Sequence, residues 1–178
     1  MGTSKALLDA GGMTFLGRIL TVFDQGGAHP RIVVVRDAGG PEAAEARRHG
    51  AEVAVNPDPT PGPISSLQEG IRRLSPEVPG TFFCPVDHPL FQAETVKALG
   101  RALIETGAPI VAPTFRGRSG HPVLFHRDLF HELLEEELPK GARTVVDRYH
   151  GERILVDVSD PGILADIDTP DEYARHFS

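Results

Sequence analysis

The sequence predicts an α/β fold in which a mainly parallel sheet is covered by helices on both faces. Two observations carry that expectation. Short apolar or β-branched runs recur at Ile32–Val35, Glu52–Val55 and residues 81–86, 109–112, 123–125 and 154–158. Segments with helical periodicity separate most of them. Near-continuous apolar runs are typical of strands buried on both faces, and their alternation with helices leads to a parallel, doubly covered sheet.

Each helix is expected for its own reason. In residues 14–24, Phe15, Leu16, Ile19, Leu20 and Phe23 fall on one face, the spacing of an amphipathic helix. Residues 41–49 are rich in Ala and Glu, opened by Pro41 and ended by Gly50. Residues 65–74 read as a serine-capped helix with Leu67, Ile71 and Leu74 inward. Helices are also expected over 94–105, 129–137, 144–149 and 171–176. The stretch Asn56-Pro57-Asp58-Pro59-Thr60-Pro61-Gly62-Pro63 separates a strand from a helix and reads as a loop over the strand tips.

Composition narrows the function. With 18 Lys and Arg against 25 Asp and Glu, the net charge is −7, which argues against a general nucleic-acid binder needing basic surface. No Trp and only two Tyr leave little for stacking single-stranded bases. No apolar run approaches a membrane span and no secretory signal opens the chain, so a cytoplasmic protein of one domain over residues 1–178 is expected. A single cysteine, Cys84, excludes an internal disulfide framework and a cysteine-rich zinc site. It lies in an apolar run and reads as a small buried hydrophobe.

Two acidic motifs carry the chemistry: Cys84-Pro85-Val86-Asp87-His88-Pro89 and Asp166-Ile167-Asp168-Thr169-Pro170. Each places a carboxylate where a strand ends. Ligands of open α/β sheets bind beyond the carboxyl ends of the strands, so Asp87 and Asp168 are expected to meet there around one Mg²⁺. That ion typically takes one or two carboxylates and fills its remaining positions with water and phosphate oxygens. Lys5, after a short flexible segment, can set an ammonium on a polyphosphate. The loop from Asn56 to Gly62 delivers Ser65 and Ser66 to a helix start, a position that suits an anion or merely a cap. Arg116-Gly117-Arg118-Ser119-Gly120-His121-Pro122 offers cationic donors for an anionic second substrate. His29, His49, His126, His131, His150 and His176 are scattered without ligand spacing. The run Glu135-Glu136-Glu137 reads as a solvated helix face.

In order, the stretches Met1-Gly2…Lys5-Ala6-Leu7-Leu8, Gly12-Met13-Thr14-Phe15-Leu16, Asn56…Gly62…Ser65-Ser66-Leu67, Cys84 to Leu90, Gly120 to Phe125 and Asp166 to Pro170 resemble the MobA/MocA-like nucleotidyltransferases, which make molybdenum-cofactor dinucleotides. The resemblance implies a Rossmann-like nucleotide-diphospho-sugar transferase fold. It implies transfer of a nucleoside monophosphate, CMP from CTP by the look of Ser65-Ser66-Leu67 or otherwise from GTP, to an acceptor phosphate with loss of pyrophosphate. Molybdopterin cofactor is the implied acceptor, and a molybdoenzyme or its maturation factor the implied protein partner. The implied roles are Lys5 and Asp87 in catalysis; Gly2, Lys5, Asn56, Gly62 and Ser66 on the nucleotide; Arg118, Gly120 and His121 on the acceptor; and Asp87 and Asp168 on Mg²⁺. A related transferase acting on a sugar or polyol phosphate, and a non-catalytic paralogue or fragment with a binding role, are the alternatives.

The family opens with a strand running into a Leu-Ala-Ala-Gly-x-Ser-x-Arg loop ahead of Met-Gly. This sequence opens at Met1-Gly2, so it is expected to be shortened at its N-terminus relative to the family. The absent strand would lie between residues 32–35 and 81–86. Either a slot between them or an inward move of the residues before Thr14 is therefore expected.

Overall fold

A computed structural model describes residues 4–177. After a 3₁₀ turn at Lys5–Leu7 the elements alternate: α1 Phe15–Gln25, β1 Ile32–Val35, α2 Pro41–Arg48, β2 Glu52–Val55, α3 Pro63–Ile71, β3 Gly80–Phe83 and α4 Ala93–Thr106. Then follow β4 Ile110–Phe115, β5 Arg118–Ser119, β6 Val123–His126, α5 Phe130–Leu133, α6 Ala142–Arg148, β7 Ile154–Asp157 and α7 Pro170–Phe177. The five apolar residues expected on one face of α1 are all buried, and Thr14 caps that helix by accepting from the Gly17 amide at 2.9 Å.

The strands form two sheets. β1 and β2 pair in parallel, with Ile32 opposite Glu52 and Val35 opposite Val55. The second sheet runs β3-β6-β4-β5, with β7 also paired to β4. Within it β3–β6, β6–β4 and β4–β5 are antiparallel and only β4–β7 is parallel. The expectation of a mainly parallel sheet is corrected here. After β4 the chain reverses through Arg116 and Gly117, with φ of 51° and 75°, the two positive angles that a tight hairpin uses to match strand twist. β5 then returns along β4, and β6 threads between β3 and β4 against the direction of both. β3, β4 and β7 share one direction.

Between the two sheets lies an open slot of about 950 Å³, walled by β1 on one side and β3 on the other. Leu16, Leu20, Leu67 and Leu103 line it from the helices, and Ser4 and Ala6 line it from the front of the chain. The sequence predicts either this slot or its partial filling by the front of the chain; among the described residues the slot is open, with Ala6 packed against Leu16, Leu20 and Val33 in its lining. It explains why β1, read as a buried strand, is buried only at Val35 and half-buried at Ile32, Val33 and Val34.

Three further expectations shift. α3 begins at Pro63 behind Gly62, whose φ of 86° suits glycine, so Ser65 sits inside the first turn instead of before it. The helix expected over 129–137 ends at Leu133, and the Glu135-Glu136-Glu137 run is therefore not a helix face. Contacts from other elements hold the chain off the helical path there. Gln68 Nε2 donates to the carbonyls of Leu133 and Glu135, and Arg148 grips Glu132 and Glu135. Among the described residues no helix is long and apolar enough to cross a membrane.

Candidate active site at the strand exits

The first acidic motif leaves the sheet as β3 ends at Phe83. Pro85 and Pro89 cannot donate backbone hydrogen bonds, so pairing stops and the chain turns with His88 N donating to Pro85 O at 3.2 Å. Pro89 is fully buried, and Arg18 Nε of α1 donates to its carbonyl at 3.0 Å. Asp87 is thereby set on a stiff turn.

The second acidic motif is brought to the first by its own backbone. Ile167 N donates to Asp87 O at 2.9 Å, while the Ile167 side chain is buried with Ala10 and Phe15. Alternation then puts Asp166 and Asp168 on the solvent side of this anchor. Glu172 Oε2 accepts from the amides of Asp168 and Thr169 at 3.0 and 2.9 Å, which fixes the approach to α7.

Lys5 reaches both motifs. Its ammonium donates to Asp168 Oδ1 and lies 3.7 Å from Asp87 Oδ2. The bond to Asp168, helped by the charges of Asp168, Asp87 and Asp166, raises the lysine pKa and keeps it a cation. Lys5, Asp87 and Asp168, expected to share one site, do stand together. Asp166 is the crowded partner: burial and the carboxylates of Asp87 and Asp168 push its pKa up.

His121 arrives from a third direction. Gly120 passes so close to Ile163 that a Cβ there would lie 2.1 Å from the Ile163 carbonyl oxygen, and His121 N donates to that oxygen at 2.9 Å. Gly162 is as tight, since its Cβ would lie 2.1 Å from Leu90 O. Three loops therefore stack backbone on backbone, and only glycine permits it. The stacking sets the His121 ring 4.5 Å from that of His88 and edge-on to Phe83. Burial, with His88 as neighbour, lowers the His121 pKa to about 4, so this ring is neutral near pH 7.

In the sequence His88 carries no expected role, and Asp166 enters only as part of its motif. Asp87, His88 and Asp166 each offer a ligand atom, and the three atoms lie within 4.8 Å of one another. Asp87 Oδ1, His88 Nδ1 and His121 Nδ1 are all shielded from solvent without a hydrogen-bond partner among the described residues. Buried polar atoms are paired in most proteins, so unpartnered atoms gathered on adjacent side chains mark a candidate ligand site. The legible signal was His88 itself, beside Asp87 on a proline-stiffened turn.

The other candidates divide. Asn56, 5% exposed, donates from Nδ2 to Ser65 Oγ at 2.8 Å and to Ser66 Oγ at 3.1 Å, while its Oδ1 accepts from the Asp58 amide. It is a tie that shapes the loop before α3. Ser66 lines the same slot as Asp87 and Arg36, and Gly62 caps α3. Arg118 is exposed on the β5 arm of the hairpin, opposite Phe115. Gly2 lies outside the described residues. Cys84 is packed with Ile19, Phe23 and Phe91, and burial pushes its thiol pKa well up, which makes it inert.

Residues 1–154 match the MobA-like NTP transferase domain family. No curated protein matches the chain in sequence. Among solved structures, that of Rv0371c from Mycobacterium tuberculosis H37Rv in complex with manganese is 27% identical, with a TM-score of 0.78 over 99% of this chain and 92% of that one. A nucleotidyl transferase from Methanothermobacter thermautotrophicus is 19% identical, with a TM-score of 0.81 over 98% of this chain and 84% of that one. Molybdopterin-guanine dinucleotide biosynthesis protein A from Archaeoglobus fulgidus is 17% identical, with a TM-score of 0.66 over 99% and 90%. The last two likenesses concern the fold.

Proposed function

Because the chain belongs to the MobA-like NTP transferase domain family, we propose that it moves a nucleoside monophosphate from an NTP to an acceptor phosphate, with CTP as donor, molybdopterin cofactor as acceptor and a divalent cation as aid. The observation that carries this reading is the meeting of Lys5, Asp87 and Asp168 beyond the end of β3. In such a transfer an oxygen of the acceptor phosphate bonds to the α-phosphorus of the NTP. The bond from that phosphorus to the bridging oxygen breaks, and pyrophosphate leaves with the electron pair. The nucleophile is already anionic, so no side chain has to remove a proton. Positioning and charge neutralisation are what the protein must supply.

Lys5 has the charge and the exposure, 38%, to meet a polyphosphate. Ser66 opens onto the slot that also contains Asp87 and Arg36, which supports a nucleotide lying between them. His121 and Arg118 are assigned to the acceptor, His121 because it stands beside His88 at the same end. The unpartnered Asp87 Oδ1 with Asp166 and His88 close by fits a dication, and the relative with bound manganese supports one. The resemblance implies Mg²⁺. When bound, the cation would neutralise charge on the phosphate oxygens.

The test is pyrophosphate release from each of the four NTPs, with Mg²⁺ or Mn²⁺, in the presence of molybdopterin cofactor or of a sugar or polyol phosphate. CTP-dependent release with molybdopterin is expected. Release only with GTP, or only with a sugar phosphate, reassigns the substrate. A second reading, a non-catalytic binding protein, is favoured by one feature, the open apolar slot beside the site, and silence with every pair would support it.

A further inference from the structure

We propose that Asp87, His88 and Asp166, and not Asp87 with Asp168, form the cation site, and that its imidazole ligand makes it select a first-row transition dication over Mg²⁺. The proposal rests on the reading that a cation serves at Asp87.

The two oxygens of Asp87 face different partners. Oδ2 is 3.7 Å from the Lys5 ammonium. Oδ1 is 3.9 Å from His88 Nε2, shielded from solvent and without a hydrogen bond. One carboxylate can thus serve the lysine with one oxygen and a metal with the other. On the lysine side Asp168 completes the ion pair, its Oδ1 accepting from Nζ. Asp168 is not among the residues whose possible ligand atoms gather around Asp87. On the other side the ligand atoms of Asp87, His88 and Asp166 fall within 4.8 Å of one another, so small side-chain rotations bring them inside the roughly 4.4 Å that two ligands can span across one ion at bond lengths near 2.0–2.2 Å.

His88 is held in place for this. Its ring packs 4.5 Å from that of His121, and its neighbours Asp87 and Pro89 are tied through Ile167 N and Arg18 Nε. Carboxylate and water oxygens suit Mg²⁺, whereas imidazole adds affinity along the series from Mn²⁺ towards Zn²⁺ and little for Mg²⁺. Two carboxylates and one imidazole leave positions open on the ion, as a site that admits substrate oxygens requires.

The experiment is equilibrium dialysis of the whole chain against Mn²⁺, Zn²⁺ and Mg²⁺ alone, with no nucleotide, alongside pulsed electron paramagnetic resonance of the Mn²⁺-loaded protein. One Mn²⁺ per chain is expected, bound at least about tenfold more tightly than Mg²⁺, with Zn²⁺ tighter still. The resonance should carry a nitrogen coupling from the imidazole. His88→Ala should remove that coupling and weaken Mn²⁺ roughly tenfold or more, with Mg²⁺ little changed. Asp166→Asn should weaken both ions, and Asp168→Asn neither. Circular dichroism checks that each variant is folded. A Mn²⁺ signal without nitrogen coupling in the wild type, equal Mg²⁺ and Mn²⁺ affinity, or loss of metal in Asp168→Asn but not in Asp166→Asn would overturn the proposal. Metal binding as described with no pyrophosphate release from any substrate pair would sink the transferase reading and leave this ligand set standing.

Discussion

The amide of Ile167 donates to the carbonyl of Asp87 over 2.9 Å, and this bond joins two acidic motifs that are 79 positions apart, Asp166 being counted from Asp87. With the Ile167 side chain buried beside Phe15, the flanking carboxylates are presented to Lys5 and His88. The site is thus assembled by backbone, and its side chains are free to act on a ligand.

Changing Asp87 to Ala should therefore cost activity and leave stability nearly intact. The hydrogen bond from Ile167 uses the main chain and survives, and the partly exposed ion pair with Lys5, 3.7 Å long, is worth about 0–1 kcal/mol. Pyrophosphate release is expected to fall by roughly 100-fold or more, with the melting temperature within about 3 °C of the parent. A collapse in melting temperature, or activity near the parent's, would contradict this.

His121 should make the metal-free protein acid-sensitive. Its pKa is lowered from 6.5 to about 4 in the folded state. Between those values the unfolded chain holds a proton that the native ring does not. Stability is thus complete above pH 6.5 and declines as pH falls towards 4, by about 3 kcal/mol at most. In chelator-containing buffer, His121→Asn should flatten the stability profile between pH 6.5 and 4. An identical profile for the variant would remove His121 as the cause.

In transfer assays, His121→Ala should weaken use of the acceptor, seen as a raised KM for it, while the response to CTP binding is largely retained. The motive is its place beside His88, reached by the close passage of Gly120 over Ile163. Unchanged acceptor dependence would count against the assignment.

Asp160 is a structural carboxylate. It is 3% exposed, and it accepts from Gln92 N at 2.8 Å, Thr95 Oγ1 at 2.7 Å and Gly162 N at 3.0 Å. It fastens the chain beyond β7 to the start of α4. Asp160→Ala leaves those donors short of a partner and should cost roughly 2–4 kcal/mol, read as a fall of roughly 5–15 °C in melting temperature. A shift under about 2 °C would show that water replaces the carboxylate.

The slot between β1 and β3 predicts a stabilising addition. Unpaired strand edges leave backbone donors and acceptors without ladder partners. An apolar, β-branched segment of about five residues joined ahead of Met1 should pair with both edges, slow amide exchange at Val33 and Phe82, and raise the melting temperature. It should also increase stabilisation by CTP. Equal melting temperatures and equal CTP responses with and without the segment would show that the slot takes no strand.

The sequence alone determined the elements and the chemistry-bearing motifs. β1 and β2 fall where their valine-rich runs do, and α1 buries the five residues its period selects. Local sterics and the removal of apolar side chains from water act over a few residues, so they leave a periodic trace. The tertiary structure decided what depends on distant partners: the antiparallel insertion of β6, the early end of α5 under the pull of Gln68, and the open slot that leaves β1 half-buried. It also decided that Asp168 faces Lys5 while Asp166 faces His88. Both carboxylates sit in one five-residue motif with the same chemistry, and alternation puts them on the same side of Ile167. Which one meets the ammonium is settled by where the 3₁₀ turn at Lys5 packs, a contact across 163 positions that leaves no local signature.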